Sequence, residues 1–197
     1  MENEINEDYI DVSSKEQSLE EETPEKEEEY VAQGKFERAL YSVYKNETLN
    51  PILHVLSYVI VGITAYAFLW RTVTLVVSDI WQAVRLLLIT GVPFVLVSIA
   101  RKLIDAPRPY ELLPFYKEKP KAKRGQSFPS RHVFSVAVIG VSLIPWSAFV
   151  GIGILALGVV LAIIRVLLGM HFIRDVLAGA AIGIISGAVG LLINYII

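Results

Sequence analysis

Thirty-three consecutive residues, 132–164, contain no aspartate, glutamate, lysine or arginine. As one helix at ~1.5 Å per residue the run would be about 50 Å long. The hydrocarbon core of a bilayer is only about 30 Å thick. Ile144-Pro145-Trp146-Ser147 lies inside the run, and a proline in that position breaks a helix. The segment is therefore predicted to be a membrane-embedded helical hairpin with arms 129–144 and 147–169. Three further stretches have the length and apolarity of a membrane span. Residues 48–70 carry no formal charge, residues 80–103 are interrupted by Arg85, and residues 174–196 close the chain. In the last, Gly179, Gly183 and Gly187 fall on one face at four-residue spacing, which permits close helix packing. The predicted fold class is all-α, a polytopic membrane helical bundle of five to six transmembrane helices.

The net charge of −2 hides a split. Residues 1–30 hold 13 acidic and 2 basic side chains, a net of −11, and the remaining residues carry a net of +9. Like-charge runs such as Glu20-Glu21-Glu22, with few large apolar residues, predict a disordered acidic tail over 1–30. Residues 31–47 follow as an amphipathic interfacial helix, with Phe36, Leu40 and Val43 at helical spacing among Lys35, Arg38 and Lys45. Residues 48–197 form the membrane domain. The chain has no cysteine, which excludes disulfides, thiolate metal sites and a cysteine nucleophile.

Charges near a membrane are costly, so their placement carries information. Three clusters stand out. Arg101, Lys102, Arg108 and Pro109 lie at the exit of the second span. Pro129-Ser130-Arg131-His132 opens the third. Arg165, His171 and Asp175 flank the turn between the fourth and fifth. Counting crossings places all three on one membrane face. Arginine forks suit phosphoryl oxygens, and Ser130 with the N–H groups of a helix start adds donors. Two histidines supply a candidate nucleophile and a candidate general acid. His171 and Asp175, four residues apart, would share a helix face, and the carboxylate would hold the imidazole in one tautomer. No compact set of carboxylates suggests a metal site. His54, near the start of the first span and without charged neighbours, is given no catalytic role.

These clusters resemble the three motifs of the type 2 phosphatidic acid phosphatase superfamily. Its first motif is a lysine followed after six residues by Arg-Pro; here Arg101 is followed after six residues by Arg108-Pro109. Its second, Pro-Ser-Gly-His, is Pro129-Ser130-Arg131-His132. Its third, Ser-Arg, five residues, His, three residues, Asp, is matched by Arg165, His171 and Asp175, with Ile164 in place of the serine. The resemblance spans residues 50–197. The family core has six membrane helices where five are read here, and the 31–47 helix stands in the place of the missing one. The resemblance implies that His171 attacks phosphorus, Asp175 orients it, and His132 protonates the leaving oxygen. It further implies that Arg101, Lys102, Arg108, Ser130, Arg131 and Arg165 bind phosphate, with no metal and no cofactor. Arg131 in place of glycine adds bulk and charge that narrow the site or grip a second phosphate.

The expected activity is hydrolysis of lipid phosphomonoesters or diphosphates through a phosphohistidine. Candidate substrates are undecaprenyl diphosphate, phosphatidylglycerol phosphate and phosphatidic acid. The expected partners are that lipid phosphate and membrane lipids, with no nucleic acid. The alternative is a catalytically impaired, anionic-lipid-binding or scaffold protein of the same fold. A vanadate-dependent haloperoxidase shares the motifs, but relatives with that activity are soluble. Lys117, Lys119, Lys121, Lys123 and Arg124 read as a basic loop touching anionic headgroups. Their position puts the clustered face in the cytoplasm by the positive-inside rule. The family resemblance places it outside a bacterial cell membrane, the orientation favoured here.

Overall fold

The computed structural model describes residues 34–116 and 124–196, with side chains through Ile193. The acidic tail, the first residues of the 31–47 segment and Lys117, Lys119, Lys121 and Lys123 lie outside the described residues. Seven α-helices order the rest: α1 Lys35–Lys45, α2 Leu49–Ser78, α3 Ile80–Ile104, the single turn α4 Pro109–Leu112, α5 Arg131–Leu143, α6 Ala148–Leu167 and α7 Ile173–Ile196. A 3₁₀ turn, Pro114–Tyr116, follows α4.

Four of these helices are long and apolar enough to cross a membrane, and α5 is apolar but short. The protein is an integral membrane protein. Its surface is inverted relative to a soluble fold: Val77, Leu103 and Phe149 are more than 80% exposed, whereas Arg101, Arg165, His171 and Asp175 are buried. Side chains facing lipid tails need not hide from their surroundings, and polar ones must.

The first span runs eight residues beyond the sequence expectation. Residues 71–78 stay helical, and their hydroxyls find partners within the helix. Thr72 donates to the Phe68 carbonyl, Thr74 to Arg71 and Ser78 to Thr74, at 2.8–2.9 Å. Arg71 lies over the Trp146 ring, 5.7 Å from its centroid. Asp79 alone separates α2 from α3. Its carboxylate accepts the N–H groups of Trp81 and Gln82, an N-cap. The Gln82 amide, foremost among these donors, lowers the Asp79 pKa. At the hairpin, α5 ends at Leu143 and α6 begins at Ala148, with the Ser147 hydroxyl capping α6 through the Val150 N–H. The break falls at Pro145, as the sequence predicts.

Helix α5 has 13 residues, roughly 20 Å of helix, less than a full crossing. It is the central helix. Val133, Phe134, Val136, Ala137, Val138, Val141 and Leu143 are buried on nearly all its sides, so protein surrounds it where lipid would otherwise be. The glycine stripe of α7 makes this possible. A Cβ at Gly179 would come 2.5 Å from the Ser130 carbonyl oxygen, one at Gly183 2.6 Å from that of Phe134, and one at Gly187 2.7 Å from Val141 Cβ. These contacts are with backbone or branched carbons that cannot yield, so α7 lies against α5 only without side chains there.

A matched pair of substitutions tests this packing. Gly183→Ala should lower stability by about 1–3 kcal/mol through overpacking. Gly153→Ala, on an exposed face of α6 with nothing within 4 Å, should leave it unchanged or raise it slightly. Thermal unfolding in detergent reads both, and equal effects would refute the account.

Candidate active site

Arg101 in the last turn of α3 is buried. Its Nη1 donates to the Ser127 carbonyl at 3.4 Å and, more closely, to that of Pro129. It therefore anchors the segment leading into α5 as well as adding charge. Asp105 ends α3 in a left-handed conformation (φ 42°) and accepts the Gln126 N–H at 3.1 Å. Glu111 on α4 accepts the N–H groups of Arg108 and Gly125, at 3.1 and 2.7 Å. Arg108 Nε donates to the Gly125 carbonyl at 2.9 Å. Two loops far apart in sequence, 105–111 and 124–130, are thus tied together.

The third cluster is brought in by α6 and α7. Gly169 adopts φ +65° just past α6, and its N–H bonds to the Val166 carbonyl, a left-handed helix end that glycine takes most readily. The Tyr116 hydroxyl would lie 2.5 Å from any Cβ there. The chain then turns through Met170 to His171 and starts α7. Ser130 bonds to this element through its N–H, which donates to the Asp175 carbonyl at 2.9 Å.

His171 precedes α7 instead of sharing its face with Asp175 as the sequence predicts. Nδ1 lies 3.8 Å from Asp175 Oδ2, too far for a hydrogen bond. The fully buried Ser127 stands between them: its hydroxyl donates to Asp175 Oδ2 at 2.5 Å and lies 3.4 Å from His171 Nδ1. Asp175 Oδ2 also accepts the Phe172 N–H at 2.9 Å, and the Asp175 N–H donates to the Phe172 carbonyl, a reciprocal pairing at the start of α7. Burial pushes the His171 pKa below 6.5; Asp175 opposes this, and Arg108 and Arg101 reinforce it. The balance of these surroundings favours the neutral imidazole.

Two donor groups inside the cluster have no partner. Arg165 spends Nη1 on Met170 Sδ at 3.1 Å, while its Nε and Nη2 are buried and unbonded. Ser130 occupies the N-cap position of α5, yet its hydroxyl caps nothing and is also buried and unbonded. Asp175 Oδ1 makes no hydrogen bond either, with Arg174 Nε at 3.6 Å. Buried arginine donors without acceptors are costly, and a tetrahedral oxyanion would satisfy them.

His132, on the first turn of α5, lies within electrostatic reach of Arg165, His171, Arg131 and Arg101. Arg131 is half-buried, with its guanidinium 5.6 Å from the centroid of the Phe94 ring. Arg131 and His132 line a cavity of ≈ 250 Å³ together with Val61, Ala65, Val136 and Ile139. Lys102 is exposed on α3, turned ~100° from Arg101 by one helical step. Ile164 belongs to the apolar core with Ile60 and Leu161, so this position offers no hydroxyl to an anion. The structure thus brings together Arg101, Arg108, Ser130, His132, Arg165, His171 and Asp175, and leaves Lys102 outside. Among the described residues no three His, Asp or Glu side chains are grouped to hold a metal.

The sequence reading missed Ser127 and Glu111. Ser127 lies three residues before Ser130, inside a loop whose shape no periodicity encodes. Its one sequence signal is a small hydroxyl residue directly before an aromatic-proline pair.

A family model described as the PAP2 superfamily matches residues 82–195, more than half of the chain. The fold is similar to the crystal structure of Aquifex aeolicus LpxE, at 22% identity and a TM-score of 0.61, covering 80% of this chain and 92% of that one. It is also similar to that of the first transmembrane PAP2 type phosphatidylglycerolphosphate phosphatase from Bacillus subtilis, at 23% identity and a TM-score of 0.53, covering 82% of this chain and 93% of that one. A search of curated proteins gives no match.

Proposed function

The chain belongs to the PAP2 superfamily, and from that premise we propose that it is a membrane phosphatase that hydrolyses lipid phosphates through a phosphohistidine on His171. One observation carries the reading: the unpartnered, buried donors of Arg165 and Ser130 lie in the cluster that holds both histidines. A phosphoryl group placed there gains donors that otherwise have none.

The neutral imidazole of His171 attacks phosphorus through Nε2. An N–P bond forms, the P–O bond to the lipid breaks, and His132 gives a proton to the departing oxygen. A water then loses a proton to His132, its oxygen attacks phosphorus, and the N–P bond breaks to release inorganic phosphate. Arg165 and Ser130, with Arg108 and the further charge of Arg101, stabilise the equatorial oxygens throughout. No step requires a metal.

The lipid tail would lie in the apolar cavity beside His132, where the leaving group departs. Arg131, which lines that cavity, suits a second phosphate on the leaving group. It favours undecaprenyl diphosphate or phosphatidylglycerol phosphate, whose leaving groups keep a phosphate, over phosphatidic acid, whose leaving group has none. The proposed setting is a bacterial cell membrane with this face outside.

The test is phosphate release in detergent from a panel of lipid mono- and diphosphates, with EDTA present. Release supports the reading, and the preferred lipid ranks the candidates. No release by well-folded protein overturns it in favour of an anionic-lipid-binding role. The burial that lowers the His171 pKa fixes the acid limb. A histidine must be neutral to attack, and protonation is delayed to below its ordinary value of about 6.5. Accordingly the acid-side decline of kcat/KM should begin only below about pH 6.5, while the alkaline side follows loss of the proton that His132 donates. An acid-side decline centred above pH 7 would contradict the buried, neutral His171.

A further inference from the structure

We infer that Ser127 is a positioning residue that sets the tautomer of His171 by relaying a hydrogen bond to Asp175. The inference rests on the phosphohistidine reading and adds to it a residue outside the three sequence clusters.

The geometry leaves one consistent assignment of protons. Ser127 has a single hydroxyl proton, and Asp175 Oδ2 at 2.5 Å is an acceptor-only atom when ionised, so the proton points there. The Oγ lone pairs then face His171 Nδ1 at 3.4 Å. Of the two neutral tautomers, only the one with a proton on Nδ1 can donate to that oxygen. Nε2 is left bare, as an attacking nitrogen must be. The carboxylate is too far away, at 3.8 Å, to fix the ring directly. A serine hydroxyl therefore fills the gap that direct pairing leaves.

Two further features fit this role. Ser127 has no exposed surface, so water does not compete for its hydroxyl. Its backbone is held independently of its side chain: its N–H donates to the Ala106 carbonyl at 2.8 Å, and its carbonyl accepts from Arg101. A change of side chain thus leaves the loop in place.

The experiment compares wild type, Ser127→Ala and Ser127→Cys in the detergent phosphate-release assay, and records ¹⁵N spectra of histidine-labelled protein. With three histidines in the chain, the imidazole nitrogens can be assigned by substitution. Ser127→Ala should lower kcat about ten- to hundredfold with little change in KM, because the phosphate donors remain. Ser127→Cys, a weaker donor of similar size, should fall between. The His171 signals should show a protonated Nδ1 in wild type and lose that single pattern in Ser127→Ala. An unchanged kcat in folded Ser127→Ala, or equal losses in both variants with an unaltered His171 pattern, would overturn the inference. If wild type itself releases no phosphate, the enzymatic reading fails while the nitrogen spectra still decide the role of Ser127.

Discussion

Replacing His171 with alanine is expected to abolish turnover, reducing phosphate release by about 10⁴-fold or more. The residue is proposed to form the covalent bond, so its loss removes the pathway and not one contribution to it. His171→Ala leaves Arg165 and Ser130 untouched, so lipid phosphate should still bind. Wild type quenched during turnover should carry acid-labile, base-stable phosphate on protein, and His171→Ala should carry none. His132→Ala is the informative contrast. It removes the proton donor and keeps the nucleophile, so a substrate with a good leaving group should still phosphorylate His171 in that variant. A His171→Ala protein that retains turnover would end the phosphohistidine reading.

Arg165 should show activity and stability moving in opposite directions. Its Nε and Nη2 are buried without acceptors, which is unfavourable until an anion arrives. Arg165→Met removes those donors and fills the space with an apolar chain. Phosphate release should fall by about 10²–10³-fold, the usual consequence of losing a preorganised donor to transition-state charge. The melting temperature in detergent without ligand should rise, because a buried charge with unmet donors has gone. Arg165→Lys keeps the charge and loses the planar fork, so it should recover only part of the activity. A variant with full activity would remove Arg165 from the cradle. One with a lower melting temperature would mean that its contact with Met170 Sδ matters more to stability than its missing partners.

Most of the architecture is legible in the sequence. Long apolar runs marked the spans, Pro145 marked the hairpin, and the four-residue glycine spacing marked the face of α7 that meets α5. These are properties of local sequence, since a bilayer demands length and apolarity and close helix contact demands missing side chains. Counting crossings was enough to put the three charged clusters on one face. The end of α2 was not legible. A span bounded by formal charge stops before Arg71, but the helix continues: Arg71 lies over the Trp146 ring, and Thr72, Thr74 and Ser78 satisfy their hydroxyls within the helix. Nor could the pattern show that the short α5 is wrapped by protein on nearly every side.

Within the candidate site the division is sharper. The sequence by itself determined which residue types meet, because motif spacing and topology carry Arg101, Arg108, Ser130, His132, Arg165, His171 and Asp175 to one face. Only the tertiary structure decided which of their polar atoms are already engaged. Arg101 holds two carbonyls, Arg165 keeps two donors open, Lys102 turns outward, and Ser127 stands between His171 and Asp175. The physical reason is range. Helix and span signals repeat over a few residues and can be read locally. Hydrogen bonding between His171 and Ser127 depends on loop geometry across 44 residues, and no local pattern fixes a distance of a few ångströms over that separation.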